Sequence, residues 1–205
     1  MKPRFFITGI GTEVGKTAVA SVLVEALRAE YWKPIQCGDL ESSDTHTIQA
    51  SVSFPVRCHP ERFRLKLPKS PHQAAAAEGT GIQLSDFILP LTSHSLIVEG
   101  AGGILVPLNE NDSMLNLIQK LQLPVIIVTR NYLGSLNHTF LTVEVLKRSG
   151  VMIEGLVYNG PADAELESFV SRKTRLPILF RMTPHPVLSP ALIQQYAASL
   201  RGNWL

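Results

Sequence analysis

The chain has 205 residues, 45% of them hydrophobic, enough for one domain with a substantial core over residues 1–205. A formal net charge of +2 gives no electrostatic case for nucleic acid as the main partner. No segment approaches the roughly 20 apolar residues of a membrane span, so no membrane partner is expected.

The N-terminal run from Phe5 to Ile7 is too short for a signal peptide. Two cysteines, Cys37 and Cys58, are too few for a disulfide framework or a zinc site. Together these predict a soluble, cytoplasmic protein with two free thiols. In chain order, "RFFIT" reads as a strand ending at Thr8, and "TGIGTEVGKT" (Thr8 to Thr17) as a glycine-rich loop. Val19, Val22, Leu23, Ala26 and Leu27 then mark one face of a helix beginning near Lys16. "YWKPI" is a short strand, and Lys33, which precedes Pro34 at its end, is, taken alone, a solvated end residue. Asp44, in "ESSDTH", suits a helix cap better than a ligand when read by itself.

"RFRLKLPK" alternates Arg62, Arg64 and Lys66 with Phe63, Leu65 and Leu67, the period of an edge strand with one wet, cationic face. An anion-binding surface is the alternative. "SLIVEG" is a strand ending at Glu99, followed by "GAGG" up to Gly103. Asp112 or Ser113 can cap a helix carrying Met114, Leu117, Ile118 and Leu121. "PVIIVT" is a strand, and a helix from about Ser135 to Arg148 stops at Gly150. "GLVYN" and "LPILF" complete the strands. A last helix, with Ser189 as cap and Pro190 first, presents Leu192, Ile193, Tyr196 and Leu200 as a docking face. Apolar runs without alternation suit strands buried on both faces, so the alternation of strands and helices predicts an α/β fold with a mostly parallel central sheet flanked by helices. Ligands collect at the carboxyl ends of such strands. Here those ends carry Gly9 to Thr17, Lys33 to Gly38, Glu99 to Gly103, and Asn159.

"GKT" after a strand and opening an amphipathic helix is the context of a phosphate loop, with Lys16 on the β- and γ-phosphates and the Thr17 hydroxyl on Mg²⁺. The usual pattern places its first glycine where this chain has Ile10, one residue after Gly9. A Mg²⁺-nucleotide also needs carboxylate oxygens nearby, for which Glu99 and Asp44 are the candidates. Glu13 raises a question, because an acid inside an anion-binding loop opposes the loop's purpose.

"FFITGIGTEVGKT", "YWKPIQCG", "SSD", "SPH" at Ser70 to His72, "VEGAGG" and "LGSLNH" at Leu133 to His138 occur together and in order. In these segments, which cover most of the chain to about Asn159, the sequence resembles the dethiobiotin synthetases. The resemblance implies a P-loop NTPase-like, three-layer fold and a ligase that converts 7,8-diaminononanoate, CO₂ and MgATP into a cyclic urea, ADP and phosphate. It implies Lys16 and Lys33 as catalytic, and Thr17, Asp44 and Glu99 as Mg²⁺ ligands. For ATP it implies Thr12, Glu13, Val14, Gly15, Lys16, Thr17, Asp44, Glu99, Gly100, Ala101 and Gly102, with Asn159 reading the adenine edge. For the diamine it implies Thr12, Lys33, Cys37 and Gly102. It further implies that Leu133, Gly134 and Asn137 serve the substrate's carboxylate tail across a homodimer interface, against which stands an ordinary helix start packing on the sheet. On this reading Glu13 faces the cationic side of the site, balancing the lysines or accepting an amine proton. His72 and His138 are read as structural.

The chain departs from the family pattern in a short link before "WKP", in only ten residues between Lys33 and Asp44, and in Cys37, where relatives carry a hydroxyl. "LFRMTPHP" also stands in place of a glycine- and proline-containing loop near adenine. A dimeric regulatory ATPase of the partitioning type is the alternative, but it normally carries an extra lysine early in the loop, and Thr8 to Glu13 has none. The synthetase domain of a cobyrinate-type amidotransferase is a third reading, one that needs an attached glutaminase domain.

Overall fold

Seven strands pair side by side, all parallel, in the order β4-β2-β6-β1-β7-β8-β9. They are β1 (Arg4–Gly9), β2 (Glu30–Trp32), β4 (Cys58–His59), β6 (Leu96–Gly103), β7 (Val125–Thr129), β8 (Ile153–Asn159) and β9 (Ile178–Met182). The computed structural model describes residues 2–200, so the extreme ends of the expected 1–205 domain lie outside the described residues. The non-alternating apolar runs fit this arrangement, because successive side chains of a strand enter opposite faces and both faces are covered. Phe6, Val98, Ile127 and Leu156 join one core; Ile7, Ile97, Ile126 and Val157 join the other.

The second core is closed by α1 (Lys16–Leu27), α2 (Asp44–Ser51) and α7 (Pro190–Ala198), which contribute Val19, Val22, Leu23, Ile48, Ile193 and Ala197. The first is closed by α3 (Pro71–Ala77), α4 (Met114–Leu121), α5 (Ser135–Arg148) and α6 (Ala164–Thr174), through Ala74, Leu117, Ile118, Leu146 and Val170. Strand, helix and cap positions read from the sequence recur here. Ser189 accepts from Leu192 N with Pro190 first in α7, and Ser113 caps α4. The expected docking face of α7 packs on α1 of the same chain, with Ile193, Ala197 and Leu200 buried.

Three features differ from the sequence reading. "YWKPI" is two strands, not one: β2 stops at Trp32, and Ile35–Cys37 forms β3, which pairs with β5 (Phe63–Leu65) in a separate two-stranded parallel sheet. Pro34 lacks an N–H for the ladder, and its carbonyl accepts from Arg62 N and Phe63 N instead. β6 runs on through Gly103 rather than stopping at Glu99. Asp44 is not a helix cap: Ser43 is, accepting from His46 N while His46 Nδ1 accepts from Ser43 N, a capping box closed by histidine. In β5, Phe63 and Leu65 are buried while Arg62, Arg64 and Lys66 are exposed, as the alternation predicts.

Two chain paths open the site. The chain leaves β1 for α1 on one face of the sheet, whereas it leaves β6 for α4 on the other. The loops after these neighbouring strands therefore part, leaving a crevice at their carboxyl ends.

Candidate active site

The loop after β1 turns sharply before α1. Glu13 (φ 57°) and Gly15 (φ 89°) both lie in the left-handed region. A side chain at Gly15 would run into Asn159, whose Nδ2 would lie 1.8 Å from an added Cβ, so this glycine is required sterically as well as conformationally. Two later side chains, one just past β7 and one at the end of β8, bind the loop's carbonyls. Arg130 Nη1 donates to Glu13 O at 3.3 Å, and Asn159 Nδ2 to Val14 O at 3.0 Å. Because a trans peptide points its N–H opposite its C=O, the N–H groups of Val14 and Gly15 face the other way.

Lys16 opens α1, and its ammonium returns to Gly11 O at 3.1 Å. The next residue, Thr17, has its hydroxyl 2.7 Å from Asp44 Oδ1 and 2.9 Å from Glu99 Oε1. Lys33 sits in the gap between β2 and β3. It is 4% exposed, not a solvated end residue, and its ammonium is 2.6 Å from Asp44 Oδ2, 3.1 Å from Glu99 Oε1 and 3.2 Å from Gly100 O. The remaining Glu99 oxygen, Oε2, accepts from Tyr31 OH at 2.9 Å. Gln36 Oε1 accepts from Asp44 N. Six residues, Thr17, Tyr31, Lys33, Gln36, Asp44 and Glu99, thus meet through one hydrogen-bonded cluster.

The electrostatics follow from burial and pairing. Burial opposes charge on Lys33, but Glu99 and Asp44 outweigh it and hold its ammonium above the ordinary range. Burial likewise opposes ionisation of Asp44, and Lys33 more than offsets this, holding the carboxyl below its usual range. Lys16 is lowered, chiefly by burial and further by Lys33, against the pull of Glu99 and Asp44. Burial, then Glu99, pushes the Tyr31 phenol well up, so it stays a donor. Burial raises the Cys37 thiol to about 11, leaving it a neutral thiol at neutral pH.

A cavity of about 570 Å³ lies over this cluster. Thr12, Glu13, Gly15, Lys16 and Thr17 form one wall, and Lys33, Cys37, Asp44, Glu99, Ala101 and Gly102 are among the residues lining the rest. The Glu13 side chain is exposed at the cavity's edge. Gly100 is bound by packing, since a Cβ there would press on the Phe6 ring at 2.8 Å; Gly102 has φ 64°. The structure does not bring Leu133, Gly134 and Asn137 into this cavity. They open α5 beyond a second, largely apolar cavity of about 460 Å³ lined by Ile104, Leu105, Val106, His138, Leu141 and Val145. Gly134 caps the helix with φ 100°, and Leu133 is fully exposed. His138 Nδ1 and Tyr132 OH pair at 2.7 Å, a local contact. His72 begins α3, with Nδ1 buried and unpaired.

Sequence reasoning missed Tyr31, Gln36 and Arg130. Tyr31 read as a strand residue, Gln36 fell at a strand's carboxyl end, and Arg130 was given no role. The only signal in the sequence for Tyr31 was a phenol in an otherwise apolar strand, since a buried Tyr hydroxyl needs a partner.

A parallel sheet with this loop at the carboxyl end of its first strand, and acids at the ends of its neighbours, defines the P-loop NTPase class. In agreement, the AAA domain family profile matches residues 3–191. Among solved structures, MinD complexed with Mg-ADP from Pyrococcus horikoshii superposes with a TM-score of 0.59 at 14% identity, covering 99% of this chain and 97% of that one. At that identity the likeness shows the fold alone. Curated relatives are more specific. The ATP-dependent dethiobiotin synthetase BioD of Cytophaga hutchinsonii is 43% identical over 203 residues, 98% of either chain. That of Christiangramia forsetii is 41% identical over 98% of this chain and 97% of its own. The chain belongs to the ATP-dependent dethiobiotin synthetase family, ligases of biotin biosynthesis.

Among the described residues no helix is long and apolar enough to cross a membrane.

Proposed function

We propose that the chain closes a cyclic urea on 7,8-diaminononanoate, using CO₂ and ATP and releasing ADP and phosphate. The observation that carries this reading is the meeting of Lys16, Lys33, Thr17, Asp44 and Glu99 under one cavity beside the phosphate loop. An uncharged amine attacks CO₂ to give a carbamate and releases a proton. A carbamate oxygen takes the γ-phosphoryl group of ATP, forming a mixed anhydride. The second amine then attacks the carbamoyl carbon and expels phosphate. Negative charge gathers around the carbamate and the γ-phosphoryl group, so fixed cations are the expected main source of stabilisation. Lys16 and Lys33 supply them from buried positions where charge is weakly screened. The N–H groups of Val14 and Gly15, oriented by Arg130 and Asn159, serve the phosphates.

The donor set of Thr17 hydroxyl, Asp44 and Glu99 fits Mg²⁺, which takes hard oxygen ligands and retains water. Bound there, Mg²⁺ would neutralise phosphate charge. Asp44 and Glu99 hold Lys33 in the structure, so the same two carboxylates orient both cations. Glu13, at the edge of the cavity, faces the diamine side, where its charge favours an ammonium and its oxygens accept a proton from the attacking amine. Asn159 reads the adenine edge in addition to holding the loop. The exposed Leu105, Leu133 and Leu141 around the second cavity support a homodimer on that face, with the N-terminus of α5 taking the substrate's carboxylate.

Incubation with MgATP, bicarbonate and the diamine tests the reading. Release of ADP should require the diamine, and the product should have gained CO₂ less water. ATP hydrolysis indifferent to the diamine would sink the reading and favour a regulatory ATPase.

A further inference from the structure

We propose that Tyr31 is a positioning residue for Glu99, and through it for the divalent cation that Glu99 and Asp44 would share. The inference rests on the reading above only in placing that cation at these two carboxylates.

Strand register makes the contact. Tyr31 pairs with Ile97 across β2 and β6, and Glu99 lies two residues further along β6 on the same face. A phenol is long enough to span that diagonal. Tyr31 is 0% exposed and Glu99 1%, so no water competes for the 2.9 Å bond to Oε2. The other oxygen, Oε1, is left facing Thr17 Oγ1 at 2.9 Å and Lys33 Nζ at 3.1 Å.

The last torsion of a glutamate is broad, because an sp³–sp² bond has no narrow staggered well. A carboxylate at the end of such a torsion needs a fixed partner to present one oxygen in one direction. Tyr31 can be that partner because its ring is rigid and its position is set by two neighbouring strands, β4 and β6. Partners behind a metal ligand typically change metal affinity about 10- to 100-fold when removed. A phenol that merely filled a core position would not influence the metal.

Tyr31→Phe keeps the ring and removes the hydroxyl. The expected result is Mn²⁺ binding in the presence of ADP, followed by electron paramagnetic resonance, that is about tenfold weaker than in the parent protein. The KM for Mg²⁺ should rise by a similar factor, with a smaller fall in kcat at saturating metal. In a Glu99→Gln background the same change should alter Mn²⁺ affinity by less than about twofold, because the residue it acts through is already impaired. Affinity within about twofold of the parent for Tyr31→Phe alone, or an equal loss in both backgrounds, overturns the proposal. If the parent itself shows no ADP-dependent Mn²⁺ binding, it is the placement of the cation at Asp44 and Glu99 that fails.

Discussion

The cleft under the phosphate loop and the start of α5 carry equally recognisable motifs, but they are physically unlike. In the cleft, Lys16, Lys33 and Glu99 are buried, and Lys33 lies between two carboxylates within 3.1 Å. At α5, Leu133 is fully exposed, Leu141 more than half and Tyr132 partly so, and the helix is capped by a glycine with no side-chain hydrogen bond. In the first region Lys33, Asp44 and Glu99 orient one another within one chain. The second is a surface whose apolar side chains await cover. Burial supplies preorganisation in the cleft, whereas the tail site proposed at α5 would depend on assembly.

Removing the central cation of the cleft should give the largest effect. Lys33→Ala is expected to lower turnover by about 10²–10³, the loss typical of deleting one transition-state donor. It should also destabilise the free protein by about 3 kcal/mol, because Asp44 and Glu99 lose their shared partner. Thermal melting would show this, and an unchanged kcat would remove Lys33 from the chemistry. Next comes a charge placed on the apolar face. Leu141→Glu should weaken self-association by more than about tenfold, seen as a shift toward monomer in light scattering. If the oligomeric state does not change, the dimer does not use this face.

The smallest expected effect is the pH dependence of the Asp44–Lys33 pair. The Asp44 carboxyl is held below its ordinary 3.8, so its contribution is complete above that value and is lost as pH falls through the lowered one. The Lys33 ammonium is held above 10.5, so its contribution is complete below that value and is lost as pH rises through the raised one. Between these limits the difference in melting temperature between the parent and Asp44→Asn should be flat. A slope near neutrality would mean that another group titrates with the pair.

Much of this was readable because the signals are local. Long apolar runs without alternation marked β1, β6, β7, β8 and β9, and a glycine-rich turn before an amphipathic helix marked the phosphate loop. What escaped depends on partners distant in sequence. Two-residue β4 has no periodicity of its own and exists only because Tyr31 and Trp32 pair with it. Taken alone, Lys33 read as a solvated strand end, and only the family resemblance named it as catalytic, since nothing near it announces that Asp44 and Glu99 close over it. Taken alone, Asp44 looked like a cap because a helix does begin there, and the resemblance made it a metal ligand; Ser43 performs the capping role and frees the carboxylate for the cleft. Tyr31 looked like core, and most of its surface is; only its hydroxyl belongs to the site.

The strand order has a consequence for how the protein is made. β1 and β2 are not neighbours; β6 lies between them and carries Glu99. A growing chain that has released its phosphate loop, Lys33 and Asp44 therefore lacks both the strand that seats β1 beside β2 and the Glu99 carboxylate until residues 96–103 emerge and insert. Such a late, non-local pairing slows folding, because a long loop must close before any contact rewards it. Until that insertion Thr17 and Lys33 are without Glu99, so the cleft takes its final form only once β6 is in place.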